Sequence, residues 1–311
     1  AKKAEVIDQL LVPGTNTVTS TLSVAAEKER LTQLLTENSA IRVMASVDHE
    51  KNALAVDMTM AASQLLIFGN PQLGTKLLQA NQTVALDLPQ KILLTQSADQ
   101  TTARLRWNSA DYLKTRHNLS GVDDTLKTID QALDALAAND SSPIKRYPSN
   151  VGINKSGKRS GIITKLSDAD FMTTVAQLRQ ALAANQALTI IAEIDHQANA
   201  QQASMKLWPT LLFVVGNPAS GTPLMQSSLS AGLDLPQKIL VYQNDDDRVR
   251  VAYNQPLYIA ERHNINDQPK LLKKIATALA NITTQATEAV EQPSPASRIP
   301  VPRIRQQAGE G

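Results

Sequence analysis

Aspartate followed directly by histidine occurs twice in the sequence, at Asp48-His49 and at Asp195-His196. Each pair ends an apolar segment and precedes a polar one, which predicts that it lies where a strand meets a helix. A carboxylate and an imidazole at such a junction suit acid–base catalysis, and both groups are also metal ligands. The alternative is structural: the aspartate caps the helix and the histidine only follows it. We favour the structural interpretation and leave the catalytic one open.

The other two histidines are repeated in the same way. His117 and His263 each follow an arginine at the predicted C-terminus of a helix, where a positive charge interacts favourably with the helix dipole. The four histidines therefore form two repeated pairs. The sequence does not establish whether they converge on a metal, so metal ligands and cofactors stay undetermined.

A glycine-rich loop with the pattern G-N-P-x-x-G-T also occurs twice, at residues 69–75 and 216–222. It differs from a nucleotide-binding P-loop, because Thr75-Lys76 has the last two residues reversed and Pro223 stands where the second copy would need a lysine. A loop leading into a helix still offers free N–H groups to an anion. The structural alternative, which we favour, is a tight turn that threonine caps and proline stiffens. The candidate residues are Asn70, Gly74, Thr75, Asn217, Gly221 and Thr222.

The sequence D-L-P-Q-K follows each loop, from Asp87 to Lys91 and from Asp234 to Lys238. A turn with aspartate and proline that leads into a strand needs no function. A lysine at the first strand position could instead project beside the glycine loop and form a ligand clamp with the aspartate. A surface ion pair between them would contribute little, and the sequence leaves both interpretations open.

Composition limits the class of protein. The 311 residues are 42% hydrophobic and only 3% aromatic, which suits two domains of ordinary size with aliphatic cores. The net charge of +2 and the scattered basic residues do not indicate a nucleic-acid-binding face. No apolar segment approaches the roughly 20 residues that span a bilayer. The absence of cysteine excludes disulfides, thiolate nucleophiles and cysteine zinc sites.

The compartment is less constrained by the sequence. The chain begins Ala-Lys-Lys without methionine, as it would after removal of a signal peptide or after trimming of the initiator methionine. We expect an exported, periplasmic bacterial protein in preference to a cytoplasmic one.

The repeated motifs belong to one long duplication. Residues 48–94 align with residues 195–241 at an offset of 147 without a gap, and 21 of the 47 pairs are identical. This period is far longer than that of solenoid repeats, so each copy is expected to be a domain. Two like domains tend to meet about a two-fold axis, as homodimers do. If the glycine loops lie at that junction, they form paired or composite sites.

The two copies together define the predicted elements. In the second copy Ser167 is expected to cap a long helix, with Asp170 as its capping-box partner, and Asp195 to cap a short one. Strands are predicted at 161–166, 187–195 and 210–216, a hairpin turning at 245–247, and helices ending near Asn185 and covering 221–229, 256–264 and 268–285. The first copy repeats this order. We therefore predict an α+β fold of two homologous domains, each a mixed or antiparallel sheet covered by helices, arranged as a pseudo-dimer.

Domain boundaries follow from composition. The first domain is predicted at 1–139 and the second at 161–285, joined by a linker at 140–160 that is rich in Ser, Gly, Pro and basic residues. The segment 286–311 has several prolines and no apolar periodicity, so it is predicted to be a disordered tail.

Three segments of the second copy resemble the domain-of-unknown-function 302 family: IDHQANAQQASM, VVGNPASGTPLMQ and LDLPQKILVYQNDDDRVRVAYNQPLYIAERH. The first copy departs from the family pattern at Leu78, where the family has methionine, at Thr102–Arg106, where strand alternation is lost, and at Ala110, where it has proline. The resemblance covers residues 16–120 and 162–265. It implies a small α+β domain, sometimes in tandem and mostly bacterial or archaeal, without an established activity.

Three functional hypotheses follow. The leading one is a non-enzymatic binding or interaction protein, with a small anionic ligand bound by loop N–H groups and Lys91 or Lys238. The alternatives are a metal-assisted or acid–base hydrolase-like enzyme that uses the Asp-His pairs, and a purely structural domain. Association beyond the pseudo-dimer stays open, as do catalytic residues. The candidate ligand-binding residues are Asp48, His49, Asn70, Gly74, Thr75, Asp87 and Lys91, with Asp195, His196, Asn217, Gly221, Thr222, Asp234 and Lys238.

Overall fold

A computed structural model describes residues 11–97, 99, 101–138, 142–149 and 160–290 of the chain. Most of the predicted tail and part of the predicted linker lie outside these described residues. The two copies of the repeat are called the first copy and the second copy below.

The first copy contains six strands and five α-helices within the described residues. Its elements are β1 (Thr15–Thr19), α1 (Val24–Glu37), β2 (Arg42–Asp48), α2 (His49–Leu54), β3 (Ser63–Gly69), α3 (Pro71–Ala80), a 3-10 helix (Gln82–Leu86), β4 (Gln90–Gln96), β5 (Ala103–Asn108), α4 (Ala110–His117), α5 (Asp123–Ala137) and β6 (Lys145–Arg146). The short strand β6 lies in the segment predicted to be a linker.

The second copy repeats this order from its first strand to its last helix. Its elements are β7 (Ile162–Leu166), α6 (Phe171–Ala183), β8 (Thr189–Asp195), α7 (His196–Gln202), β9 (Thr210–Gly216), α8 (Pro218–Ser227), a 3-10 helix (Leu229–Leu233), β10 (Gln237–Gln243), β11 (Val249–Asn254), α9 (Pro256–Arg262) and α10 (Pro269–Thr287).

Each copy forms one sheet. The strand order is β2-β3-β4-β5-β1-β6 in the first sheet and β7-β11-β10-β9-β8 in the second, and each pair of neighbouring strands is antiparallel. The predicted α+β class, with helix-covered sheets in tandem, is confirmed. The sheets are antiparallel rather than mixed.

Two predicted helix starts differ from the structure. The N-cap of α6 is Asp170, whose side chain accepts the Thr173 N–H, and not Ser167. Ser167 instead directly follows β7, and its N–H donates to the Val249 carbonyl at 2.8 Å. The glycine loop also becomes helical earlier than predicted, since α3 and α8 begin at the proline of G-N-P, and the threonines lie inside these helices rather than at their caps.

Each sheet uses its two faces differently, because alternate residues of a strand point to opposite sides. In β9, Phe213 packs with the helices of its own copy, in a core that includes Leu178 and Leu279. The next residue, Val214, belongs to a core shared with the first copy. One face of each sheet is therefore covered by the helices of its own copy, and the other face packs against the opposite copy.

The 3-10 helices connect the two copies reciprocally. That of the first copy lies against β9, β10 and β11, and that of the second copy lies against β3, β4 and β5. Leu233 is fully buried in a cluster with Leu65, Ile67 and Leu93. In the opposite direction, Gln82 Nε2 donates to the Thr210 hydroxyl at 2.9 Å. Each copy thus completes the core of the other.

Candidate functional site

The aspartates of the two Asp-His pairs are helix caps. Asp48 accepts the Lys51 N–H and Asp195 accepts the Ala198 N–H, each at 2.9 Å. The second oxygen of Asp48 accepts a hydrogen bond from Gln64 Nε2 at 2.9 Å. These carboxylates therefore satisfy the N-termini of α2 and α7, as the structural interpretation predicts.

The histidines that follow are buried against the opposite copy. His49 lies 3.1 Å through Nε2 from the Gly232 carbonyl, and because a carbonyl only accepts, the ring donates Nε2–H. A Cβ at Gly232 would lie 3.2 Å from the His49 ring, and the equivalent first-copy residue is Ala85. His196 differs, because among the described residues its buried Nε2 has no hydrogen-bond partner. Burial lowers the pKa of each ring to about 4, and for His49 the bond to the Gly232 carbonyl partly offsets this effect.

The second glycine of each loop, Gly74 or Gly221, lies inside the second turn of α3 or α8, whereas the first, Gly69 or Gly216, ends a strand. A Cβ built on Gly74 would meet no atom within 4 Å, and one on Gly221 would meet only Leu235 Cδ1 at 3.9 Å. Both positions have ordinary negative φ, so the backbone does not require glycine there. Glycine in a helix costs about 1 kcal/mol relative to alanine, and here the missing side chains leave space open beside each helix.

The asparagines of the loops differ between the copies. Asn70 Oδ1 caps α3 by accepting the N–H groups of Gln72 at 3.1 Å and Leu73 at 3.4 Å. Asn217 makes no side-chain cap, and its buried Oδ1 has no partner among the residues that the structure describes. The N-terminus of α8 therefore keeps donors that the first copy satisfies internally.

The second-copy cavity, next to the loop 216–222, has a volume of about 460 Å³. Its wall combines this loop, the Leu235-Pro236 turn and α10 of the second copy with two side chains from the first copy, His49 and Asn52. The helix α2, which begins after Asp48, thus forms one wall of the cavity beside the glycine loop of the opposite copy.

The first-copy cavity, next to the loop 69–75, has the same arrangement with the copies exchanged. Its volume is about 240 Å³, and His196 and Asn199 of the second copy close it. The described residues of its wall include no aspartate, glutamate, lysine or arginine, whereas those of the second-copy cavity include one charged group, Lys274. Both cavities are mostly apolar and hold a few polar groups, a composition that is typical of small-molecule sites.

The aspartates of D-L-P-Q-K lie elsewhere, in a buried network between the copies. Asp87 accepts from Arg116 Nη1 at 2.8 Å and from His117 Nε2 at 2.6 Å. The second copy repeats this with Asp234, to which Arg262 donates at 2.9 Å and His263 at 2.5 Å. Burial alone would raise the pKa of both aspartates, but the neighbouring arginine and histidine keep it well below its usual range.

The two arginines also cross the domain boundary. Arg116 Nη2 donates to Asn254 Oδ1 and Arg262 Nη2 donates to Asn108 Oδ1, both at 2.7 Å. The hydroxyls of Tyr112 and Tyr258 meet at 2.7 Å. Each arginine also lies over the tyrosine ring of the opposite copy, at 4.4 Å for Arg116 and 3.9 Å for Arg262. The network therefore joins the copies twice, because each copy makes the same contacts to the other.

The lysines of D-L-P-Q-K are buried in the same region and line neither cavity. Lys238 Nζ donates to the carbonyls of Pro236 at 2.9 Å and Asp234 at 3.2 Å, whereas Lys91 Nζ has no hydrogen-bond partner within the described part of the chain. Burial lowers the pKa of both lysines. The structure therefore separates the D-L-P-Q-K charges from the glycine loops that they follow in sequence.

Within the described ranges, no group of three or more His, Cys, Asp or Glu side chains is arranged to coordinate a metal ion. In the same part of the chain, no helix is both long and apolar enough to cross a membrane.

Comparison with known proteins places these features in a family. A family model described as "Domain of unknown function DUF302" matches residues 16–136 and matches again at residues 163–283. The chain belongs to the DUF302 family. The two matches confirm the tandem repeat, and the description of the family assigns no molecular function.

Among curated proteins, the chain is similar to proteins named as fluoride-specific ion channels. It is 31% identical over 144 residues to FluC 1 of Brucella suis biovar 1, which is 46% of this chain and 55% of that protein. It is also 31% identical to FluC 2 of Brucella melitensis biotype 1, over 46% of this chain and 52% of that protein. The DUF302 chain therefore spans about half the length of these relatives, and the similarity concerns one part of each.

A solved structure is also similar to part of the chain. It is described as an uncharacterized conserved protein DUF302 from Bacillus stearothermophilus, with 17% sequence identity and a TM-score of 0.38. The match covers 40% of this chain and 98% of that one.

The structure divides the DUF302 motifs into two groups. His49, His196 and the two glycine loops line the cavities, with the Asp48 and Asp195 caps beside them, whereas the D-L-P-Q-K charges join the copies. The residues that contact the second group are not evident from the sequence: Asn108, Tyr112, Arg116, Asn254, Tyr258 and Arg262. The repetition of Arg-His at the end of α4 and α9 was the available signal, because it marks the same side chains in both copies.

Proposed function

We propose that this DUF302 protein is a non-enzymatic binding protein whose second-copy cavity binds a small amphipathic anion, such as a carboxylate with an apolar body. The observation that carries the proposal is the composite wall: the glycine loop of one copy and the Asp-His helix of the other enclose each cavity. Such a site exists only when both copies are assembled, so the duplication and the site support each other.

The apolar body of the ligand is supported by the size and lining of the cavity. A volume of about 460 Å³ lies within the range of small-molecule sites. The side chains of α10 that face it include Ile275, Leu279 and Ile282, and the sheet adds Val215 and Ile239. Removing an apolar chain from water into such a wall contributes about 0.8 kcal/mol per methylene group.

The anionic end is supported by three groups in the same wall. The N-terminus of α8 lacks a side-chain cap, and helix N-termini attract anions. Thr222 is fully buried, and its hydroxyl has no hydrogen-bond partner among the described residues. Of the described residues that line the cavity, Lys274 is the one that carries a charge. A carboxylate bound there would accept a hydrogen bond from the Thr222 hydroxyl and balance the positive charge of Lys274.

The first-copy cavity is proposed to take a smaller, neutral molecule. The Asn70 side chain already accepts hydrogen bonds from the first N–H groups of α3. Thr128 of α5 stands at the position equivalent to Lys274. Its smaller volume of about 240 Å³ favours a shorter ligand. The proposal thus keeps the anion site predicted from the sequence only for the second copy. There Lys274, and not Lys91 or Lys238, is the lysine beside the loop N–H groups.

A binding function is preferred to acid–base catalysis because of how the polar groups are used. Asp48 and Asp195 accept backbone N–H groups of their own helices, and the histidines beside them make no hydrogen bond to them. The proposal includes a bacterial source, which the Brucella relatives support. Export to the periplasm stays a prediction from the sequence, and fractionation of cells tests it.

The test measures binding of straight-chain carboxylates of increasing length by calorimetry, with the matching primary alcohols as neutral controls. Lys274→Thr introduces the first-copy residue, and Lys273→Thr is the matched control because Lys273 is exposed and outside the cavity. Gly221→Leu fills the cavity. Native mass spectrometry before and after denaturation adds an independent readout by detecting any ligand that co-purifies.

We expect carboxylates to bind more tightly than the alcohols and Lys274→Thr to weaken their binding by about ten-fold or more, since hydrogen bonds to a charged group contribute roughly 1.5–3 kcal/mol. Lys273→Thr should change nothing, and Gly221→Leu should abolish binding. Equal affinity for acid and alcohol would overturn the anionic assignment. Binding that survives Gly221→Leu would overturn the site itself.

A further inference from the structure

The two sheets differ at one edge. In the first sheet, β1 lies between β5 and β6, and its residues from Thr15 to Val18 are buried. In the second sheet the equivalent strand, β7, pairs with β11 only, and no described residue covers its other edge. Leu166 at the end of β7 is 51% exposed. An uncovered edge presents unpaired N–H and C=O groups that a further strand can use.

In the first copy, the segment 142–148 covers this edge. Ser142 N–H donates to the Thr19 carbonyl at 3.1 Å, and Tyr147 N–H donates to the Thr15 carbonyl at 3.0 Å. Gly14 N–H donates to the Tyr147 carbonyl at 3.2 Å. The strand partners within this segment are Asn16 with Arg146 and Thr17 with Lys145.

The sequence of this covering segment recurs near the end of the chain. Residues 142–148 read S-P-I-K-R-Y-P and residues 294–300 read S-P-A-S-R-I-P, with four of the seven positions identical. Each segment follows the last helix of its copy, five residues after Ala137 of α5 and seven after Thr287 of α10. The repeat therefore extends beyond the family matches, into residues outside the described part of the chain.

The end of α10 lies where such a strand would begin. The Thr287 carbonyl accepts the Asp168 N–H at 2.9 Å, two residues beyond the end of β7. Seven extended residues span up to about 24 Å, which is ample for an adjacent edge. At the far end of the edge, Gly161 matches Gly14: both have positive φ, of +61° and +71°, and both lie against the ring of an equivalent tyrosine.

We propose that the free edge of β7 is the docking site for residues 294–300 of the same chain, which add an antiparallel strand with Arg298 opposite Ile163 and Ser297 opposite Thr164. The docked strand does not depend on ligand binding, and for residues 294–300 it is an alternative to the disordered tail that composition predicts over 286–311. One contact of the first copy is not repeated. Arg146 binds Asp134 at 2.7 Å, and the position equivalent to Asp134 is Ala280. The added strand is therefore bound by its backbone rather than by an ion pair.

A cysteine pair tests the register, and the chain contains no cysteine of its own. Partner Cα atoms in an antiparallel pair lie about 4.5–5.5 Å apart, within disulfide range. In the full chain, Ile163→Cys combined with Arg298→Cys should form an intramolecular disulfide under mild oxidation. Ile163→Cys with Arg305→Cys is the matched control, because Arg305 lies beyond the repeated segment, and it should form several-fold less.

Hydrogen exchange tests the docked edge without a cross-link. Ile299→Pro removes the N–H equivalent to that of Tyr147, and Ala308→Pro places the same change outside the segment. The amides of Ile162, Thr164 and Leu166 face the free edge, because those of the alternate residues face β11. They should exchange at least about ten-fold faster in Ile299→Pro than in the unmodified chain or in Ala308→Pro. Equal exchange in all three, or equal oxidation of the two cysteine pairs, would overturn the proposal. A disulfide between two chains would overturn it in favour of a second copy of the protein at this edge.

Discussion

At the scale of single residues, the four histidines have different tasks although all are buried. His117 and His263 donate to the aspartates of the interdomain network and have a hydroxyl, of Thr83 or Ser230, at the second ring nitrogen. His49 and His196 close the cavities instead. Burial lowers the pKa of all four rings, so each is neutral near pH 7. The buried imidazoles are thus polar packing groups that become costly when they must carry a charge.

This cost predicts acid sensitivity. The pKa of His49 falls from its ordinary value of 6.5 to about 4 on folding, so between these values the unfolded chain binds more protons and the free energy of unfolding falls as pH is lowered. His49→Gln keeps a donor for the Gly232 carbonyl but does not titrate. We expect it to remove about 2–3 kcal/mol of the stability difference between pH 7 and pH 4.5, measured by urea unfolding. The exposed Lys273→Gln should leave the difference unchanged, and an unchanged difference in His49→Gln would contradict this account.

At the scale of elements, α3 and α8 carry glycine where a helix would gain from a side chain. Gly74→Ala should raise the free energy of unfolding by about 0.5–1 kcal/mol, because a Cβ there meets no atom and alanine is the better helix former. Gly14→Ala is the contrasting variant. Gly14 has φ +71°, and a Cβ there would lie 2.4 Å from Tyr112 Cδ2, so this change should destabilise the protein. Denaturant unfolding of both variants checks the opposite signs.

Much of the element order could be predicted because the two copies confirm each other. The Asp195 cap followed from residue type alone, since no other cap former stands at that junction. The start of α6 did not, because Ser167 and Asp170 both cap well and only the sheet bond of Ser167 to Val249 decides between them. The network was missed for a related reason. Asp87 and Arg116 are far apart in sequence, and their contact depends on tertiary packing.

The composite cavities could be predicted only in part from the sequence. Their glycine loops and Asp-His pairs were recognised as candidates from the sequence, and the possibility of composite sites followed from the duplication. Which loop meets which histidine depends on how the sheets face each other. The pairing of His49 with the loop of the opposite copy therefore required the structure.

At the scale of the whole molecule, the buried network should make the two copies unfold together. Asp234→Asn leaves Arg262 and its neighbours buried without their carboxylate, and breaking a buried pair costs about 3–5 kcal/mol. We expect this loss in urea unfolding, with a single transition for the full chain before and after the change. Glu193→Gln is the control, because its partner Arg179 is 48% exposed and such a pair contributes about 0–1 kcal/mol. Two separate transitions in the unmodified protein would contradict the shared core.

The covalent joining of the copies has a consequence for how the cavities can change over time. In a symmetric homodimer one gene encodes both sites, so each substitution alters both together. Here the positions of Asn70 and Thr128 are encoded separately from those of Asn217 and Lys274. One cavity can therefore acquire a new preference while the other keeps the old one, and the network that joins the copies need not change. Duplication has given this fold the freedom of a heterodimer within a single polypeptide.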